Sequence, residues 1–146
     1  ILFVCHGNIC RSPMAEFVMK DLVKKAGRET EFHIASAAVS TEEIGNGVYS
    51  PARRELQKHG ISCAGHRARQ LTAADYGRFD YLIGMDSSNI RNMLRICGGD
   101  SEGKISRLLD HTPRPGDVAD PWYTGDFSQT WEDITEGCER ILEELC

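Results

Sequence analysis

The sequence predicts an α/β protein, an open four-stranded parallel sheet with helices on both faces. Three observations carry that prediction. Four short apolar runs recur along the chain, stretches with helical spacing separate them, and a loop rich in polar residues joins the first run to the first helix. Near-continuous apolar runs suit parallel strands covered on both sides. Strands that alternate with helices imply right-handed crossovers, and such sheets bind ligands at the carboxyl ends of their strands.

The predicted strands are Ile1–Val4, Phe32–Ala35, Tyr81–Met85 and, more weakly, Ile105–Leu109. The first helix is marked by Met14, Phe17, Val18 and Leu22 at helical spacing. Ser12 offers a capping hydroxyl, Pro13 suits the first helical position, and Lys24, Lys25 and Gly27 close the helix. A second helix is expected from Pro51 to His59, ended by Gly60. A third begins near Thr72, and a fourth spans Asn89 to Ile96 before Gly98-Gly99. The clearest is the last, where Trp131, Ile134, Cys138, Ile141, Leu142 and Leu145 form one apolar stripe. The longest irregular stretch, His111 to Phe127, is rich in Pro, Gly and Asp, and a loop of that length in a compact domain is usually functional.

Composition bounds the rest. At 146 residues, 40% hydrophobic and 27% charged, the chain is expected to form one domain, 1–146, with a core of its own. A formal net charge of -5 argues against nucleic acid or an anionic membrane as the main partner. No stretch approaches the ~20 apolar residues of a membrane span. Ile1–Val4 is too short for a signal peptide and lacks a charged leader, and without an initiator Met a few residues are expected to precede it. The six cysteines are not spaced as a disulfide framework, which points to a reducing, cytoplasmic setting. With no Cys-x-x-Cys or His-x-x-x-His pair, no metal is expected.

Chemistry concentrates in Cys5-His6-Gly7-Asn8-Ile9-Cys10-Arg11-Ser12, between the first strand and the first helix. A short loop there aims several backbone N–H groups into one concavity, and the helix end adds positive potential. That is an anion site, and the segment from His6 to Ser12 is expected to hold phosphate. Gly7 and Asn8 are residue types that tolerate the positive φ of such a nest. No Gly-Lys-Ser/Thr follows, so it is not a nucleotide loop of the Walker kind. Instead a cysteine stands at its entrance and an arginine at its exit. The positive field that holds phosphate also favours a thiolate at Cys5, Ser12 is placed to donate to it, and Arg11 offers a planar fork to two phosphate oxygens. Alone, each residue has a bland reading: a small hydrophobe, a surface cation, a cap. Together they suit phosphoryl transfer to sulfur.

The run Val4 to Pro13 resembles the signature of the low-molecular-weight protein tyrosine phosphatases, and it stands at the N-terminus as in that family. Ala35-Ser36-Ala37, Ile44-Gly45-Asn46, Gly65 to Leu71 and Asp120-Pro121-Trp122-Tyr123 follow in the family's order. The resemblance implies phosphotyrosine in a protein or peptide as substrate, inorganic phosphate as product and no cofactor. Cys5 is the implied nucleophile, Arg11 the phosphate holder and Asp120 the general acid. Asn8, Ser12, Ser36 and His66 form the implied supporting network. Two departures stand out. His6 occupies a position that is usually aliphatic or threonine, and Trp122 replaces the first of two tyrosines, so Trp122 and Tyr123 are expected to wall the substrate slot.

A leaving group needs a proton from a poised carboxylic acid. Asp117, Asp120 and Asp126 share the long loop, and Asp120 is preferred because Pro121 stiffens it and aromatic neighbours dry it. Two rivals share the fold. An arsenate reductase needs further cysteines to relay a disulfide, and Cys63 and Cys97 are isolated in sequence. A phosphoarginine phosphatase of this type carries threonine where this chain has Ile9. Cys5 and Cys10 lie on one tight loop, so a reversible disulfide under peroxide is also expected.

Overall fold

The computed structural model describes residues 1–146. Its centre is a four-stranded, all-parallel sheet in the order β2-β1-β3-β4. The strands are β1 (Leu2–Cys5), β2 (Ala35–Ala38), β3 (Leu82–Gly84) and β4 (Ile105–Arg107). The helices are α1 (Arg11–Lys25), α2 (Ser50–Lys58), α3 (Asp75–Arg78), α4 (Ser87–Cys97), α5 (Pro121–Thr124) and α6 (Phe127–Leu145). No helix is long and apolar enough to cross a membrane.

Alternation along β1 divides the core. Ile1, Phe3 and Cys5 face one side, packed with Met14 and Val18 of α1, Leu56 of α2, and Ile134 and Cys138 of α6. Leu2 and Val4 face the other, with Leu71, Phe79 and Met93 of α4. Burial of both faces explains why β1 reads as a continuous apolar run rather than an alternating one. The strand order also sets the site. From β1 the chain crosses to β2 on one side, then returns to β3 on the other, so the carboxyl ends of β1 and β3 flank the switch point where such sheets bind ligands.

Four expectations need correction. Strand two lies three residues later than Phe32–Ala35, at Ala35-Ser36-Ala37-Ala38, with Leu2 opposite Ala35. The apolar run instead leads in, Ile34 buried and Phe32 packed at the core's margin. Small side chains take the paired positions, and Ser36 there reaches Glu16 of α1. The fourth run stops as strand at Arg107, and Leu108–His111 turns into a short 3-10 helix. Ser12 does not cap α1: the N-cap position is Cys10, without a side-chain cap, and the Ser12 hydroxyl is used elsewhere. The long loop contains an unforeseen helix, α5, capped by Asp120.

Close packing between α6 and the turn after β4 provides a test. A Cβ placed on Gly137 would lie 2.4 Å from Leu108 Cγ, and Leu108 is fully buried. Alanine in place of glycine gains about 1 kcal/mol of helix propensity, whereas overpacking a core costs ~1–3 kcal/mol. Gly137→Ala is therefore expected to lower the urea midpoint at unchanged m-value. A raised midpoint would show that Leu108 moves aside without strain.

Candidate active site

The segment from Cys5 to Arg11 links the end of β1 to the start of α1, at the floor of a cleft of about 400 Å³. Cys5 lies at that floor with 3% of its surface exposed. Its Sγ receives the Asn8 backbone N–H at 3.3 Å and lies 3.0 Å from the Ser12 hydroxyl.

Asn8 holds the loop in shape. It has the only positive φ outside glycine, 60°, and its side chain uses every polar group. Nδ2 donates to Ser12 Oγ at 2.7 Å and to Ser36 Oγ at 2.9 Å, while Oδ1 accepts from the Arg69 amide at 3.1 Å. His66 Nε2 lies 2.8 Å from the Asn8 carbonyl, which can only accept, so that nitrogen carries the proton. Because Ser12 and Ser36 both accept from Asn8, each is left with its own proton to give. Ser36 gives its proton to Glu16 Oε1, and Glu16 is paired with Lys20. Ser12 has the Cys5 sulfur at 3.0 Å and the Ala37 carbonyl at 3.5 Å within reach of its proton. Asn8, Ser12, Ser36 and His66 thus meet as expected. Gly7 has no positive φ; a Cβ there would instead press on Glu43 Cγ at 3.3 Å.

Arg11 is buried, with 3% of its side chain exposed. NH1 donates to Asp86 Oδ2 at 2.7 Å and to the Val118 carbonyl at 2.9 Å. Both NH1 hydrogens are therefore held by protein, and the Nε–NH2 edge is the one left to face an oxyanion. NH2 lies 3.4 Å from Asp120 Oδ2. Burial alone would lower the affinity of the guanidinium for its proton, but Cys5, Asp86 and Asp120 outweigh it and hold the group above its ordinary range. Burial pushes the Cys10 thiol up to about 12, with Cys5 and Asp120 adding to the rise. Cys10 stays a thiol beside the cleft.

The three loop carboxylates separate by position. Asp120 lines the cleft and caps α5, accepting from the Trp122 amide at 3.0 Å. Asp126 caps α6 through the Gln129 amide. Asp117 accepts at one oxygen from the Ser87 amide, the Ser87 hydroxyl and Arg107. Asp117 and Asp126 are therefore not idle loop residues, yet neither lines the cleft. Trp122 and Tyr123 stand at its mouth, Tyr123 85% exposed, and Trp122 leans on Tyr49 with ring centroids 4.8 Å apart. His6, Ile9 and Cys10 also line it, with Glu42 and Glu43 from the segment after β2.

Several contributors escaped the sequence reading: Asp86, Glu16, Tyr49, Arg69 and the Glu42-Glu43 pair. Asp86 had a usable signal, since it follows β3 directly and opens α4 with a capping box. A carboxylate at the end of the strand beside β1 falls at the switch point by topology alone.

A thiol under an amide loop, with a buried guanidinium at its side and a carboxyl above, defines a phosphatase of the cysteine-dependent type. The profile of the low molecular weight phosphotyrosine protein phosphatases matches residues 1–146, and the chain belongs to that family. It is 41% identical over 147 residues to the low molecular weight protein-tyrosine-phosphatase YfkJ of Bacillus subtilis, covering 99% of this chain and 94% of the relative. The crystal structure of YfkJ superposes with a TM-score of 0.94, over 99% of this chain and 92% of that one. The fission yeast Schizosaccharomyces pombe has a low molecular weight phosphotyrosine protein phosphatase 43% identical over 151 residues, covering 99% and 96% of the two chains. A Drosophila arginine phosphatase shares the fold at 30% identity and a TM-score of 0.89, covering 99% and 96% of the chains.

Asn8 allows backbone and side-chain effects to be separated. Asn8→Gly keeps the positive φ but strands the buried groups that Asn8 serves, each worth about 1 kcal/mol or more. Asn8→Ala loses the same bonds and adds ~1–2 kcal/mol of left-handed strain. Both should unfold at lower urea than wild type, with alanine the worse. Equal midpoints for the two variants would mean that the loop relaxes out of its positive φ.

Proposed function

We propose that this protein tyrosine phosphatase hydrolyses phosphotyrosine through a phosphocysteine on Cys5. One observation carries the proposal: the Cys5 sulfur accepts the Asn8 amide and lies 3.0 Å from the Ser12 hydroxyl, at the floor of a cleft whose wall presents Arg11 and Asp120. The thiolate attacks phosphorus, the P–O bond to tyrosine breaks, and protonated Asp120 gives its proton to the leaving oxygen. The loop amides from His6 to Ser12 and the Nε–NH2 edge of Arg11 hold the three equatorial oxygens as charge redistributes. Asp120, now a carboxylate, takes a proton from water as that water attacks phosphorus. The S–P bond breaks, the thiolate returns and inorganic phosphate leaves. No step uses a metal or an organic cofactor.

Depth and apolar walls favour the tyrosyl ring. Trp122, Tyr123 and Ile9 offer it faces, and Ile9 has no side-chain hydrogen bond for a phosphorylated guanidinium. The disulfide relay of an arsenate reductase finds no support, because Cys63 packs in one core cluster and Cys97 against the other, on opposite sides of the sheet.

Leaving-group dependence tests the assignments. Cys5→Ser should abolish turnover while phosphate still binds. Asp120→Asn should cut kcat on phosphotyrosine by about 10²–10⁴-fold, the usual worth of a general acid. Tyrosine leaves poorly as an anion, with a pKa of about 10, so the loss should be smaller on nitrophenyl phosphate. Asp126→Asn should show no such pattern. The assignment fails if Asp126 reproduces it and Asp120 does not. Equal kcat/KM on a phosphoarginine peptide would overturn the substrate.

Oxidation follows from the same loop. Peroxide converts the Cys5 thiolate to a sulfenic acid, and the Cys10 thiol condenses with it to a disulfide and water. The charge of Cys5, one of the causes that keep Cys10 protonated, is lost in that first step. Wild type should recover fully with added thiol, and Cys10→Ser only partly. Full recovery of both would remove Cys10 from the account.

A further inference from the structure

Outside the phosphate cradle, the cleft carries charge of one sign. Glu42 and Glu43 both line it, Glu42 with 69% of its side chain exposed. Glu43 is held in place, its Oε2 accepting from Asn46 at 2.6 Å and its Cγ lying over Gly7 of the loop. Asp120 adds a third carboxyl. The cations do not balance them for an incoming peptide. Arg11 is buried and already paired with Asp86 and Asp120. His6 is the one exposed basic side chain of the lining, and its Nε2 is 3.1 Å from Glu42 Oε2. Nearby arginines lie elsewhere: Arg54 shares a separate hollow with Lys58 and Asp126, and Arg53 and Arg67 line another cleft with Cys63.

A phosphotyrosine seated on Cys5 brings its neighbouring residues to this lip. The geometry points to Glu42 and Glu43 as a docking surface that selects phosphotyrosine flanked by Lys or Arg and turns away phosphotyrosine flanked by Asp or Glu. This rests on the phosphotyrosine reading above and specifies which peptides it prefers. The preference does not conflict with binding a dianion. The phosphate is held at close range by the amides and Arg11, whereas the lip meets only the flanking side chains, and exposed charges more than about 10 Å apart are largely screened at ordinary salt.

The test compares two phosphotyrosine peptides that differ only in carrying Lys or Glu on both sides of the phosphotyrosine. An exposed ion pair changes an equilibrium by about 1.4- to 5-fold, so the Lys-to-Glu ratio of kcat/KM should be roughly 3 to 10 in wild type. The ratio is read within each variant, so any general loss of activity cancels. Glu42→Gln and Glu43→Gln should each reduce it, and the double variant should bring it near 1. Raising the salt to about 0.5 M should also shrink it. Hydrolysis of both peptides at equal rates overturns this inference alone, as does a ratio that persists in the double variant or at high salt. Hydrolysis of neither peptide overturns the phosphotyrosine reading with it.

Discussion

The site depends on one side chain that cannot turn. Asn8 sits at φ 60° and makes five hydrogen bonds, from its amide, its carbonyl, both Nδ2 hydrogens and Oδ1. Those bonds reach β1, α1, β2 and the segment before α3, so the loop is referenced to two of the four strands and the first helix at once. They also order the protons. The Asn8 amide donates to both hydroxyls, so Ser36 gives its proton to Glu16, and Ser12 has the Cys5 sulfur and the Ala37 carbonyl as takers for its own.

Arg11 links this loop to the other half of the site. Its NH1 ties α1 to the end of β3 through Asp86 and to the segment that carries Asp120 through the Val118 carbonyl. The Val118 amide in turn donates to Met85 at the end of β3. Asp117, one residue earlier, is pinned by Ser87 and Arg107. The residues before Asp120 therefore have little freedom, and α5 fixes those after it. A buried charge is tolerable only when paired and hydrogen-bonded. The pairing of NH1 also leaves the Nε–NH2 edge as the one proposed to take phosphate.

What the sequence disclosed follows the distance over which each interaction acts. Cys5, Asn8, Arg11 and Ser12 were legible because strand, loop and helix are contiguous there, and local geometry alone makes the anion cradle. Asp120 was legible through Pro121 and its aromatic neighbours. Asp86 was not, since it is 75 positions from Arg11 and reads locally as a helix cap; only the strand order brings the two together. Glu16 carried no local signal, yet it is buried, with Ser36 of β2 against it. The misplaced second strand has a similar cause. Apolar bulk marks what is buried, but the register of β2 is set by the small residues that let α1 approach. Ser12 misled for a related reason: a hydroxyl before proline at a helix start suits a cap, and the thiol and Asn8 claim it instead.

Fold likeness alone does not choose the substrate. The arginine phosphatase of Drosophila shares this architecture at 30% identity, and a cradle of amides with a paired arginine recognises a phosphoryl group whatever carries it. Discrimination has to come from what lies above phosphorus, where the groups leaving the two substrates differ most. A tyrosyl ring is flat, apolar and in need of one proton. A guanidinium is planar too, but it presents N–H donors that lose hydrogen bonds to water unless the wall replaces them. The wall here offers Ile9 and the faces of Trp122 and Tyr123. Its carboxylates stand at the lip or serve as the proposed acid, so a guanidinium at the depth of Ile9 would surrender more hydration than the cleft returns. That difference in hydration is the ground on which the proposed preference for a tyrosyl ring over a guanidinium rests.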